Sequence, residues 1–145
     1  MTMKRDKSPG YVINHLSRLM TQTLGDKLKA HDVTPGQLPV LLCLWEQDGL
    51  TQRELYVRVN IEQATMSNTL KRMERDGLVF RKSDPNDRRA SRVHLTTKAQ
   101  KLESKLTSAA KDVNKTALGK LKKKDKKVLM DLMEQMIGNL EAAGE

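Results

Sequence analysis

The sequence predicts a mainly α-helical chain interrupted by one small β-hairpin, and three observations predict it. Two helix-start signatures, Thr34-Pro35-Gly36-Gln37 and Thr51-Gln52-Arg53-Glu54, open short segments with apolar stripes in the middle of the chain. Between Leu78 and Leu95 the periodicity changes from helical to alternating, around a run dense in turn formers, Ser83-Asp84-Pro85-Asn86-Asp87. Outside this central part, both ends carry long stretches with a single apolar face.

The first helix starts at Ser8-Pro9 and carries Val12, Ile13, Leu16, Leu19, Met20, Leu24 and Leu28 at helical spacing, fading near His31-Asp32. Thr34 is then expected as an N-cap, with Pro35 at the first helical position and Gln37 completing a capping box. Leu38, Leu41, Leu42 and Trp45 share one face of that helix, and Asp48-Gly49 stops it. The second capping box opens a short helix holding Leu55 and Val59, which Asn60-Ile61-Glu62 breaks. A further helix runs from Gln63 to Arg75 with Met66, Leu70 and Met73 turned inward and Gly77 as its C-terminal cap. Two short helices separated by so tight a break describe a helix-turn-helix.

Leu78 to Lys82 reads as extended, and Arg92-Val93-His94-Leu95 alternates like a strand. Two strands around a basic loop, directly after a helix-turn-helix, make a wing. Thr96-Thr97 caps one long helix carrying Ala99, Leu102, Leu106, Ala109, Ala110, Val113, Ala117, Leu118 and Leu121. A lysine-rich break from Lys122 to Lys127 precedes a last helix with Leu129, Leu132, Met133, Met136, Ile137 and Leu140 on one stripe, and Glu141 to Glu145 are expected to fray.

Composition narrows the function. A formal charge of +9 on 145 residues implies an anionic partner, nucleic acid before a membrane surface. The longest apolar run, Val40 to Trp45, is far short of the ~20 residues that span a bilayer, and no secretory apolar stretch follows the basic first residues. A reducing cytoplasm is the expected location. Cys43, the single cysteine, excludes an internal disulfide or a multi-cysteine metal site and reads as an inert core thiol. His15, His31 and His94 stand singly, with no Ser-His-Asp order, metal-ligand cluster or phosphate-cradling glycine loop. No catalytic residue, metal or cofactor is therefore expected, and the chain is not read as an enzyme. The six lysines between Lys120 and Lys127 read as a solvated turn rather than a membrane attachment.

The expected partner is double-stranded DNA. In a helix-turn-helix the second helix enters the major groove, and here its outward face holds Gln63, Ala64, Thr65, Ser67, Asn68, Lys71 and Arg72. Gln and Asn can grip adenine through two hydrogen bonds, Thr and Ser can reach phosphates or bases, and Lys71 and Arg72 would sit near the backbone. From Lys71 to Arg92 there are eight basic and four acidic residues. Arg88 and Arg89 lie at the tip of the wing and Arg92 on its second strand. An arginine on a protruding ribbon suits a narrow minor groove, and Asp87 could hold the Arg89 guanidinium in place.

The central segment can close its own small core, whereas the first helix and the last two lie outside it, each with an apolar stripe that needs a partner. Interleaving them with the same helices of a second chain buries every stripe, so a homodimer is expected. The resulting organisation is an N-terminal dimerisation helix over residues 1–33, a winged helix-turn-helix DNA-binding domain over 34–95, and C-terminal dimerisation helices over 96–145. An architectural DNA binder, or a winged helix used for protein contacts, remains the alternative; salt dependence and sequence preference separate them.

Leu50-Thr51-Gln52-Arg53-Glu54-Leu55, the helix exit Met73-Glu74-Arg75-Asp76-Gly77-Leu78-Val79, and above all Asp84-Pro85-Asn86-Asp87-Arg88-Arg89 followed by Leu95-Thr96 resemble the MarR family of bacterial transcription regulators. The likeness covers nearly the whole chain. In that family the wing carries an Asp-x-Arg element before a Leu-Thr, which Asp87-Arg88-Arg89 matches. The resemblance implies a triangular homodimer that usually represses genes near its own, and small phenolic or anionic effectors that weaken DNA binding from a site between the dimer base and the winged domain. Candidate effector contacts by position are His15, Arg18 and Trp45. One branch of the family senses oxidants through a cysteine in the first helix, where this chain has none.

Overall fold

The computed structural model describes residues 1–145 apart from the side chain of Arg88. Its elements are α1 (Pro9–Leu28), α2 (Leu38–Glu46), β1 (Leu50–Thr51), α3 (Gln52–Val59), α4 (Gln63–Arg75), β2 (Val79–Asp84), β3 (Asp87–Leu95), α5 (Thr97–Lys101), α6 (Glu103–Leu118) and α7 (Lys123–Ala143), with short 3-10 turns at Arg5–Lys7 and Lys29–His31. The chain forms two compact units, Met1–Val113 and Asn114–Glu145.

Helix α1 begins as its sequence dictates: the Ser8 hydroxyl accepts the Tyr11 N–H at 3.4 Å, and Pro9 occupies the first helical position, where no N–H is needed. Only its C-terminal end joins the core, through buried Leu28 and half-buried Leu24. The expected start of α2 is corrected. Pro35, Gly36 and Gln37 form a turn, and the helix opens at Leu38 with Pro39, not Pro35, in its first turn. Half of the capping box survives, because the Gln37 side-chain oxygen accepts the Thr34 N–H at 3.1 Å while its amide donates to Asp76 at 2.9 Å. Leu38, Val40, Leu41 and Leu44 are buried, whereas Leu42, expected inside, faces out. In a helix apolar on every side, periodicity cannot select the inner face.

Thr51 caps α3 as expected, its hydroxyl accepting the Glu54 N–H at 3.1 Å and donating to the Glu54 carboxylate at 3.0 Å. Asn60 ends the helix in the left-handed conformation at φ 59°. Met66, Leu70 and Met73 of α4 are fully buried beside Leu55, Leu41 and Leu44 in one continuous core. The α4 exit is a Schellman motif around Gly77 at φ 71°, with the Leu78 N–H donating to Met73 O and the Gly77 N–H to Glu74 O.

The sheet holds three strands, not two, in the order β1-β3-β2, both pairings antiparallel. Strand β1 was hidden because two residues, Leu50 and Thr51, are too few to display alternation. Strand β3 starts at Asp87 rather than Arg92, since the projecting end of a hairpin has no core face to impose an apolar/polar pattern. Beyond it Thr96 links two elements: its hydroxyl accepts the Ala99 N–H, capping α5, and donates to Gly77 O at 2.7 Å. The single long helix expected there is two, because the Leu102 N–H bonds three residues back to Ala99 O and tightens one turn. The apolar stripe runs on across that turn, so sequence period does not reveal it. The core draws in Ala99 and Leu106, so this segment does not lie wholly outside the winged domain.

In the second unit the break falls at Gly119, with φ 54°, and α7 starts at Lys123; most of the lysine run is helical, not turn. Helix α7 also continues through Glu141 to Ala143, which were expected to fray. Taken by themselves, α1 and α7 each leave an apolar face uncovered, with Tyr11, Val12, Ile13, Leu16 and Leu19 on the first and Leu132, Met136, Ile137 and Leu140 on the second.

Gly49 tests this packing. It sits at φ 74°, and a Cβ there would lie 2.9 Å from the His94 ring, which in turn stacks on Phe80 at 5.5 Å. Gly49→Ala combines left-handed strain of about 1–2 kcal/mol with a steric clash and should lower the thermal midpoint by several degrees. Gly36→Ala, which meets open space at an ordinary φ, should leave the midpoint unchanged or slightly raised.

Candidate nucleic-acid interface

Because Met66, Leu70 and Met73 fix the rotation of α4, the opposite face is set. Gln63, Ala64, Thr65, Asn68, Lys71 and Arg72 are exposed and Ser67 is half-buried. The Thr69 hydroxyl donates back to Thr65 O at 2.9 Å and is thereby occupied within the helix. Among the described residues Lys71 and Arg72 enter no ion pair, so both cations stay available to phosphate.

The wing is held against this helix by a residue that sequence reasoning missed. Arg81 on β2 donates from Nε to Glu74 of α4 at 2.7 Å and from Nη1 to Gln52 of α3 at 3.1 Å, tying the hairpin to both helices of the helix-turn-helix. Its seven-residue spacing from Glu74 crosses a helix exit and a strand start, so no single period could have paired them. At α4's C-terminus, Asp76 accepts from Arg75 and Gln37; the hydrogen bond from Arg75, then that from Gln37, holds its carboxyl below the usual range.

At the wing tip, Pro85-Asn86 form a two-residue turn between the paired Asp84 and Asp87, and the Asn86 N–H donates to the Asp84 carboxylate at 2.9 Å. Asp87 accepts the backbone N–H of Arg89 at 3.0 Å. This main-chain bond shapes the loop, and Arg89 is exposed beside it; among the described residues no Asp87–Arg89 guanidinium contact is present. The Arg88 side chain lies outside the described residues. Arg92 also departs from expectation: its guanidinium donates to Asp84 at 3.1 Å and to Gly49 O at 2.9 Å, inside the domain.

The three candidate effector residues are not joined by any hydrogen bond or ion pair among the described residues. His15 and Arg18 are exposed one turn apart on α1. Trp45 packs half-buried against the core with its indole N–H donating to Ala99 O at 3.2 Å. Cys43 is half-buried, and burial pushes its thiol upward, with Glu46 adding to the effect.

A model of the MarR family matches residues 33–91. The HTH-type transcriptional regulator TtmR of Methylorubrum extorquens is 38% identical over 79 residues, which cover 54% of this chain and 40% of that protein. The organic hydroperoxide resistance transcriptional regulator of Bacillus subtilis is 32% identical over 117 residues, covering 81% of this chain and 77% of the relative. Among solved structures, the S. aureus MepR–DNA complex is similar at a TM-score of 0.86 and 28% identity, covering 91% of this chain and 98% of that one.

Two substitutions on α4 separate base reading from backbone contact. Asn68→Ala should cost about 1–3 kcal/mol of DNA affinity that depends on one base position. Lys71→Ala should weaken every duplex alike and reduce the slope of log affinity against log salt by about one. Competition binding with single-base variants at several salt concentrations measures both.

Proposed function

Since the chain belongs to the MarR family of transcriptional regulators, we propose that it acts as a homodimeric repressor that grips a palindromic operator and lets go when a small effector binds. Its family is one of DNA-binding regulators, not enzymes. The observation that carries the finer reading is the bracing of α4 and wing to each other, with Lys71, Arg72 and Arg89 exposed and in no ion pair among the described residues. A sequence-reading helix beside a basic ribbon is equipped for adjacent major and minor grooves.

The dimer is supported by the uncovered apolar faces of α1 and α7. Side chains such as Ile13, Leu16, Ile137 and Leu140 remain between 47% and 74% exposed, and a second copy is the partner that supplies matching faces. Two winged domains set ~34 Å apart would then meet successive turns of one duplex face. Among the described residues no helix is long and apolar enough to cross a membrane. A cytoplasmic location belongs to this reading because the partner it names is chromosomal DNA.

For the effector, His15 and Arg18 offer polar groups among apolar neighbours on α1, suited to a small phenolic or anionic molecule. An open groove of about 540 Å3 along α5 and α6, with Lys101, Ser104, Thr107 and Lys111 on its walls beside Glu103, offers a second surface of that chemistry. Either acts only by favouring a conformation whose recognition helices are wrongly spaced. Oxidant sensing at Cys43 is not part of this reading: a thiol kept protonated by burial is a poor nucleophile, and the response named for the Bacillus relative is not carried over.

Selection of bound sequences from a random duplex pool tests the reading. A palindrome with half-sites one helical turn apart is expected, and transcription from a template carrying it should fall when protein is added; enrichment of a lone half-site would overturn the dimeric grip. Leu16→Glu should yield a monomer in sedimentation and lose at least tenfold in affinity for the selected duplex. A dimer of unchanged stability would remove α1 from the interface. Titrating small phenolic carboxylates into the protein–duplex complex tests release.

A further inference from the structure

We propose that Arg92 is a positioning residue, not a DNA contact: it pins the root of the wing to the helix-turn-helix and so sets the angle at which Arg89 meets DNA. The inference rests on the DNA-binding reading above.

Its place in the sheet is the first argument. Arg92 faces Thr51 of β1 on one side and Lys82 of β2 on the other. Strand β1 ends its pairing there; beyond it only Ser91 and Asp87 of β3 keep partners, Ser83 and Asp84 of β2, with an irregularity in the ladder between them. Arg92 therefore stands where a three-stranded sheet becomes a two-stranded ribbon, and two-stranded ribbons twist most freely. A projecting ribbon pivots at that point unless something fixes it.

The guanidinium fixes it from three directions. Nε donates to Asp84 Oδ2 at 3.1 Å, at the far end of β2; Nη1 donates to Gly49 O at 2.9 Å, in the loop before β1, and lies 3.9 Å from Glu54 Oε1 on α3. The planar fork suits this, since one rigid group can hold several acceptors at set angles. Asp84 is nearly buried and also accepts the Asn86 N–H, so one carboxylate ties the tip turn to the root. That carboxyl is held below its usual range, first by the Asn86 N–H and then by Arg92, and is ionised at neutral pH.

Charge makes the second argument. One guanidinium facing two carboxylates, Asp84 and Glu54, presents no net positive charge to an approaching phosphate. Arg89, whose neighbour Asp87 is engaged by a main-chain N–H, is the residue left to meet the groove.

The test uses the duplex recovered by the selection and the full-length chain. Arg92→Ala and Asp84→Asn should each weaken binding on the order of tenfold, and the double variant should be no worse than the poorer single one, as expected for partners in one contact. The salt slope should stay that of the wild type. Arg92→Lys, which keeps the charge but loses the fork, should behave like the alanine variant. If instead Arg92→Ala lowers the salt slope by about one while Asp84→Asn binds as well as or better than wild type, Arg92 touches phosphate and the proposal fails. Should a variant not fold, exchange of the Arg92 Nε proton in the wild type decides: protection without DNA, unchanged on adding duplex, supports the strut, and free exchange in the absence of DNA refutes it. Wild-type protein that binds no duplex at all sinks the DNA-binding reading itself, a result distinct from either.

Discussion

Everything on the face proposed to meet DNA depends on the burial of one edge of α4. Met66, Leu70 and Met73 have no exposed surface, and each such side chain contributes about 1.5–3 kcal/mol by leaving water. Successive residues on a helix are 100° apart, so a turn of the helix by a single position would swing all three off the core and turn polar side chains toward it. The hydrophobic core thus aims Gln63, Asn68 and Lys71 without touching them. Specificity for a polar surface is decided by apolar contacts on its reverse.

The charged residues of the winged domain divide by what they face. Arg81 and Arg92 are opposed by carboxylates and connect elements; Lys71, Arg72 and Arg89 enter no ion pair among the described residues, and in the proposed reading they carry the field that draws a polyanion. Net charge alone does not make this distinction, since the formal +9 counts a bracing arginine and a contacting one equally. The braces matter to function because affinity for a rigid duplex is lost when the gripping parts must be ordered on binding.

The fold was largely readable wherever a local rule had one outcome. Thr51 with Glu54 marks a helix start, Gly77 a helix end, Pro85-Asn86 a turn, and the stripe Met66-Leu70-Met73 an inner face, and each stands as expected. What escaped needed contacts distant in sequence. Leu50 is a strand only because Val93 lies beside it, 43 positions away in the chain, and Arg92 is a strut only because Gly49 and Asp84 converge on it. The lysine run from Lys122 misled for another reason: repeated like charge reads as solvated loop, yet lysine has good helix propensity and Asp125 sits in the first turn, where an acid is favoured.

The lone tryptophan has a use beyond packing. Trp45 is the chain's single indole, and its N–H is anchored to Ala99 O, so the ring spans the junction between the second helix and the short helix that follows the wing. Intrinsic emission from this protein therefore comes from one defined seam, and any loosening of that seam should change its colour and intensity with no label attached. The molecule carries its own optical gauge at the place where the second helix meets the segment that follows the wing.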